Sequence, residues 1–178
     1  LPLPKSPLPL LQHLHRNHPG LTESLCKAFA EAAFISLSRH NIPPTVFEIT
    51  NGGGDASVRT LFWEMPNNRI KRAHNNDEDA TEQGAYALCL SAIEAEHQLV
   101  AIERAETKTG ADYYVGELDS EVLQIGYRLE ISGTNTDKSA ELMERIRRKV
   151  IQTQRGASNL PAVVSVAAFL LRRVDFVF

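Results

Sequence analysis

Cysteine is nearly missing from this 178-residue chain: Cys26 and Cys89 are two in all, too few for a disulfide framework and not spaced as a zinc-binding pair. Each falls within an apolar helical pattern, so both read as small core residues in a reducing, cytoplasmic setting. No apolar run approaches the roughly 20 residues that a spanning helix requires, and Leu1 to Leu10 alternates Leu with Pro around Lys5 rather than resembling a secretory signal. A positive excess is missing too. Nineteen Lys and Arg face 22 Asp and Glu, for a net charge of −3 and a pI near 6.1, which argues against a protein that coats nucleic acid non-specifically. Nucleic-acid contact, if present, comes from a local patch. The chain also lacks a G-x-S-x-G elbow and a G-x-G-x-x-G turn. Gly52, Gly53 and Gly54 are followed by Asp55 and a strand pattern instead of the Gly-Lys-Ser/Thr and helix of a phosphate-binding loop. His13, His15 and His18 have a metal-like spacing, but they lie in a Pro-rich leader without a nearby fourth ligand and read as a surface cluster.

What is present is one domain's worth of core, with 43% apolar residues. Residues 1–20, holding Pro2, Pro4, Pro7, Pro9 and Pro19, read as an extended arm. That arm either lies on the domain or reaches a homodimer mate or protein partner, and Pro4 with Pro7 formally makes a P-x-x-P ligand. Residues 21–178 read as a single α/β domain. Leu25, Ala28, Phe29, Ala32, Ala33 and Leu37 predict a helix over 21–40, with Thr22 or Ser24 as its cap and Pro43–Pro44 as its stop. Two β-branched and aromatic runs, 45–50 and 57–65, predict a hairpin with a Gly-rich tip. A polar connection, 66–76, carries Arg69, Lys71, Arg72 and His74.

The second half carries the candidate chemistry. Asp77 to Gln98 is a helix with the stripe Ala85, Leu88, Cys89, Ala92 and Ile93. Glu82 sits on or beside that stripe, and Gly84 suggests close approach of another backbone. Strands are expected over 99–106, 111–118 and 122–133, with Asp112 near the start of the second and Glu130 late on the polar side of the third, beside Arg128 and Ser132. A helix capped by Thr136 or Asp137 runs to about Gln154, placing Arg145, Lys149 and Gln152 on one face. Residues 162–171 read as a strand buried on both faces, and the tail extends it or forms another.

The order helix, strand, strand, strand, helix, strand, with Gly110-Ala111-Asp112 and Leu129-Glu130-Ile131-Ser132 in those places, resembles the PD-(D/E)XK, or restriction-endonuclease-like, nuclease superfamily over residues 77–171. The resemblance implies a mixed central β-sheet flanked by helices, an αβββαβ core with residues 21–76 as an added helix and hairpin. It implies Mg2+ or Mn2+ held by Asp112 and Glu130, with Glu82 as a third ligand or water-orienting base. Ala111 stands where the motif has Pro, and Ser132 where it has Lys. Some members move that cation to the following helix, which makes Lys149 the charge stabiliser here, with Gln152 beside it.

Hard oxygen ligands suit Mg2+, which neutralises a phosphodiester and acidifies a bound water, while a nearby cation stabilises the charge that develops on attack. Each residue also has a plainer reading. Asp112 closes a turn after Gly110, Glu130 pairs with Arg128 or Arg145, Glu82 complements a helix N-terminus, and Lys149 and Gln152 belong to a solvated charged face. Tyr113 and Tyr114 point to opposite faces, one of them into the core. The function expected is metal-dependent cleavage of nucleic acid, DNA ahead of RNA, in defence or repair. The alternatives are a catalytically degenerate binding module and a structural or assembly subunit.

Overall fold

The computed structural model describes residues 5–52, 54–118 and 121–178. Thr22 caps the first helix, α1 (Glu23–Ser38), its hydroxyl accepting from the Leu25 N–H at 3.2 Å. The first hairpin is β1 (Thr45–Asn51) with β2 (Asp55–Leu61), antiparallel in the register Thr45 opposite Leu61. The polar connection forms a short exposed helix, α2 (Asn68–Ala73), started by the Asn67 side chain. Asn76 caps α3 (Asp77–His97), which leads into β3 (Leu99–Arg104), β4 (Tyr113–Glu117) and β5 (Tyr127–Thr134), an antiparallel meander. Helix α4 (Ser139–Gln154) crosses to β6 (Ala162–Ala168), parallel to β5, and β7 (Arg173–Val177) returns antiparallel to β6.

All seven strands make one mixed sheet in the order β2-β1-β7-β6-β5-β4-β3. The added hairpin joins it through a parallel β1–β7 pairing. Helices α1 and α3 cover one face over a core that includes Phe47, Leu88, Tyr113, Leu129, Phe169 and Phe176. On the other face Leu142 and Ile146 of α4 pack on Val164, Val166 and Ala168 of β6. Strand β6 is thus buried on both sides, as its nearly continuous apolar run predicts. A Cβ on Gly84 would stand 2.7 Å from the Ala33 Cα, so the close backbone approach expected at that glycine is the α1–α3 crossing.

Three expectations are corrected. Residues 122–126 are not strand: Val122 and Leu123 are exposed, and β5 starts at Tyr127 where pairing with β4 begins. Helix α4 starts at Ser139, after Lys138 and without a side-chain cap, rather than at Thr136 or Asp137. The arm is not simply extended. Leu11–Arg16 is a 3-10 helix, and Leu8, Leu11, Leu14 and His18 are buried in the core. Pro4, half of the P-x-x-P pair, and Gly53 of the hairpin tip lie outside the described residues.

Candidate functional site

Strand β4 pairs with β5 only from Tyr113 opposite Leu129 onward, so the Ile131 N–H, two residues further along β5, has no strand partner on that side. Asp112 fills the gap. Its backbone N–H donates to the Leu129 carbonyl (2.8 Å), and its Oδ2 accepts from the Ile131 N–H (2.8 Å). Its Oδ1 turns to the helical layer, where it accepts from the Tyr86 hydroxyl (2.7 Å) and from Nη2 of Arg104 (3.3 Å). The side chain therefore ends the β4–β5 ladder and ties it to α3, which goes beyond closing a turn.

Glu130 projects from the opposite face of β5 to its neighbours Leu129 and Ile131, toward α4. Its Oε1 accepts from Lys149 Nζ at 2.6 Å and from Gln152 Nε2 at 3.2 Å, and only 6% of the side chain is exposed. Neither Arg128 nor Arg145 is its partner. The Arg128 guanidinium donates to the Thr109 and Leu160 carbonyls, and Arg145 donates to the Ser132 hydroxyl. Burial pushes the Glu130 carboxyl above its ordinary value, and the neighbouring Asp112 charge pushes it further. The Lys149 hydrogen bond and charge work against both without cancelling them. Asp112 lies near enough for its charge to act on Glu130 in this way.

Local backbone features hold the helix against this point. Gly110, at φ +67°, turns the chain into Asp112, and a Cβ there would sit 3.2 Å from the Gln152 carbonyl. A Cβ on Gly156 would strike the Thr109 carbonyl, so these two glycines let the end of α4 rest on the turn that leads to Asp112. Lys149 and Gln152 reach Glu130 because that contact is tight.

Four of the five candidate residues are thus brought together: Asp112, Glu130, Lys149 and Gln152. Glu82 is not among them. It is exposed on α3 and lines a separate cleft with Thr81, Thr134, Asn135 and Arg145. Tyr86, one turn later, takes the position facing Asp112. Among the described residues no group of three His, Cys, Asp or Glu side chains could hold a metal, so the pair alone is the candidate ligand set. A buried carboxylate beside a half-buried one suits a hard divalent cation that keeps several waters.

Tyr86 and Arg104 are the members that sequence reasoning missed. Burial, followed by the Asp112 charge, raises the Tyr86 phenol, so it stays a donor at neutral pH. The signal for Arg104 was the meander itself, since a turn over 105–112 sets the end of β3 beside the start of β4. Tyr113 is the core member of the tyrosine pair, while the Tyr114 hydroxyl donates to Glu106. His18 is a buried structural residue: the Ala101 N–H donates to its Nδ1, so Nε2 carries the proton and donates to Glu94. Both cysteines are buried and free, and no helix among the described residues is long and apolar enough to cross a membrane. No family model, curated protein or solved structure matches the chain.

Proposed function

We propose that this protein is a divalent-metal-dependent nuclease, acting on DNA ahead of RNA, with Asp112 and Glu130 as the metal-binding pair. The observation that carries this reading is the crowding of two acids at the end of the β4–β5 ladder, with Glu130 raised by burial and by Asp112 although Lys149 lies against it. Such crowding costs the folded protein stability, and a bound cation would relieve it. The order α3-β3-β4-β5-α4-β6, with β5 parallel to β6, supports the likeness to the PD-(D/E)XK core.

Bound Mg2+ would supply charge neutralisation at the phosphodiester and a water of lowered pKa. The chain's own groups divide the remaining work. Asp112 is held rigidly by Tyr86 and the Ile131 N–H. Lys149 is anchored on Glu130 and becomes available to the negative charge that develops on the phosphate. Gln152 fixes the orientation of the Glu130 carboxylate.

A second reading has its own observation. Each acid already has a cation, Arg104 on Asp112 and Lys149 on Glu130, and the third acid stands apart. That arrangement suits a binding module whose catalysis has lapsed. Incubating the protein with single- and double-stranded DNA and RNA in millimolar Mg2+ or Mn2+, beside Glu130→Gln, separates the two. Cleavage by the wild type that is lost in the variant supports the nuclease. Intact substrates that are nevertheless retained would support the binding module.

A further inference from the structure

Arg104 ends β3 directly opposite Tyr113 in the β3–β4 register. Its guanidinium carbon lies 4.9 Å from the centre of the Tyr86 ring and 4.8 Å from that of Tyr113, so two aromatic faces set its position. From there Nη2 donates to the Tyr86 hydroxyl at 3.2 Å and to Asp112 Oδ1 at 3.3 Å. Yet 53% of the side chain remains exposed, while Asp112 is only 15% exposed. The Tyr113 hydroxyl is fully buried beside the same guanidinium.

A purely structural pair accounts poorly for this arrangement. An ion pair with one exposed member contributes at most about 1 kcal/mol, and here the contact is long and made through one nitrogen. Only Nη2 meets Asp112, so further donors of the planar fork remain for another anion, and the side chain that carries them is pre-organised. Lys149 approaches the acid pair from α4, and Arg104 approaches it from β3. A phosphodiester centred over the acids would have a cation on each flank.

We infer that Arg104 is the phosphate-binding residue of this site: it neutralises Asp112 in the free protein and grips a non-bridging phosphodiester oxygen once a divalent cation occupies the acid pair. This rests on reading Asp112 and Glu130 as metal ligands. It carries a signature that a structural arginine lacks. Removing a cation from Asp112 eases metal binding by lessening the competition, whereas it weakens phosphate binding by removing the grip. The two affinities should move in opposite directions.

The test uses the full chain and the variants Arg104→Ala and Arg104→Lys. Mn2+ binding is measured by calorimetry. Binding of a fluorescent oligonucleotide, single-stranded and duplex, is measured by anisotropy in Ca2+ at fixed ionic strength. Arg104→Ala should bind Mn2+ about threefold to tenfold more tightly and the oligonucleotide about tenfold more weakly, the latter equal to about 1.4 kcal/mol. Arg104→Lys keeps the charge but loses the fork and the stacking, so it should fall between the two and guard against misfolding of the alanine variant. Unchanged oligonucleotide affinity, or a parallel loss of both affinities together with melting temperature, would overturn the inference while leaving the metal site standing. A wild type that binds no Mn2+ would overturn the metal site and this inference with it.

Discussion

Glu130 is where the chemistry of the site and the stability of the fold meet. Its carboxyl titrates above the ordinary carboxylate value in the folded protein, so the folded state holds that proton more tightly than the unfolded chain does. Stability is therefore lost as pH rises from the ordinary value of 4.5 through the raised folded value, and the full cost is present above it. Glu130→Gln removes the charge and keeps the shape. The variant should melt a few degrees above the wild type at pH 7 without metal, with the gap closing near pH 4, as followed by circular dichroism. Millimolar Mg2+ should then stabilise the wild type alone, by about 2.7 kcal/mol at a hundredfold excess over its dissociation constant. A gap of constant size across pH would mean that Glu130 is not strained. Strand alternation put Glu130 on a polar face and helix spacing put Lys149 and Gln152 on one face, because each depends on periodicity within its own element, whereas Asp112 and the choice of Lys149 as the cation came from the likeness to the PD-(D/E)XK pattern. Tyr86 and Arg104 were not legible in that way. The place of Tyr86 at Asp112 depends on how α3 lies across the meander and that of Arg104 on the cross-strand pairing of β3 with β4, while Glu82, also on α3, faces a separate cleft.

Helix α3 shows how packing can overrule an intrinsic preference. By propensity alone, Gly84→Ala inside a helix should stabilise by about 1 kcal/mol. Its new Cβ would instead meet the Ala33 backbone at 2.7 Å, where no flexible side chain can yield. The variant should lose roughly 1–3 kcal/mol on denaturant unfolding, and a gain would mean that α1 and α3 sit further apart than described. That crossing was legible because a lone glycine in a strong helical pattern asks for a reason. Other boundaries were not. Leu123 and Ile125 alternate as a strand would, yet residues 122–126 precede the pairing of β5 with β4, and local pattern does not specify partners. Helix α2 was hidden for the opposite reason. None of its residues is buried, so it leaves no apolar stripe to read.

At the scale of the molecule, the N-terminal segment closes the sheet at both ends. The N–H groups of Lys5 and Leu8 donate to the Val58 and Thr60 carbonyls along the β2 edge, and the Ser91 hydroxyl, on α3, donates to the Pro9 carbonyl. At the far edge the Gly20 N–H donates to the Ala101 carbonyl of β3, and His18 Nδ1 takes the Ala101 N–H. Strands left unpaired at an edge invite association with other chains, so one strap protects both. Asn17 and His18 also serve Glu94 of α3. Burial alone would raise that carboxyl, but the hydrogen bonds from His18 and Asn17 outweigh it and hold Glu94 below 4.5. The strap's contribution is thus present above the ordinary carboxylate range and is lost as pH falls through the lowered folded value. His18→Ala would leave the Ala101 N–H and one Glu94 oxygen unpaired in the interior, at a cost on the order of 3 kcal/mol. Its Ala101 amide should lose protection in hydrogen exchange well before those of β5 and β6, and the protein should associate on warming. If His18→Ala melted with the wild type and kept that amide protected, the strap would be lying on the fold without holding it.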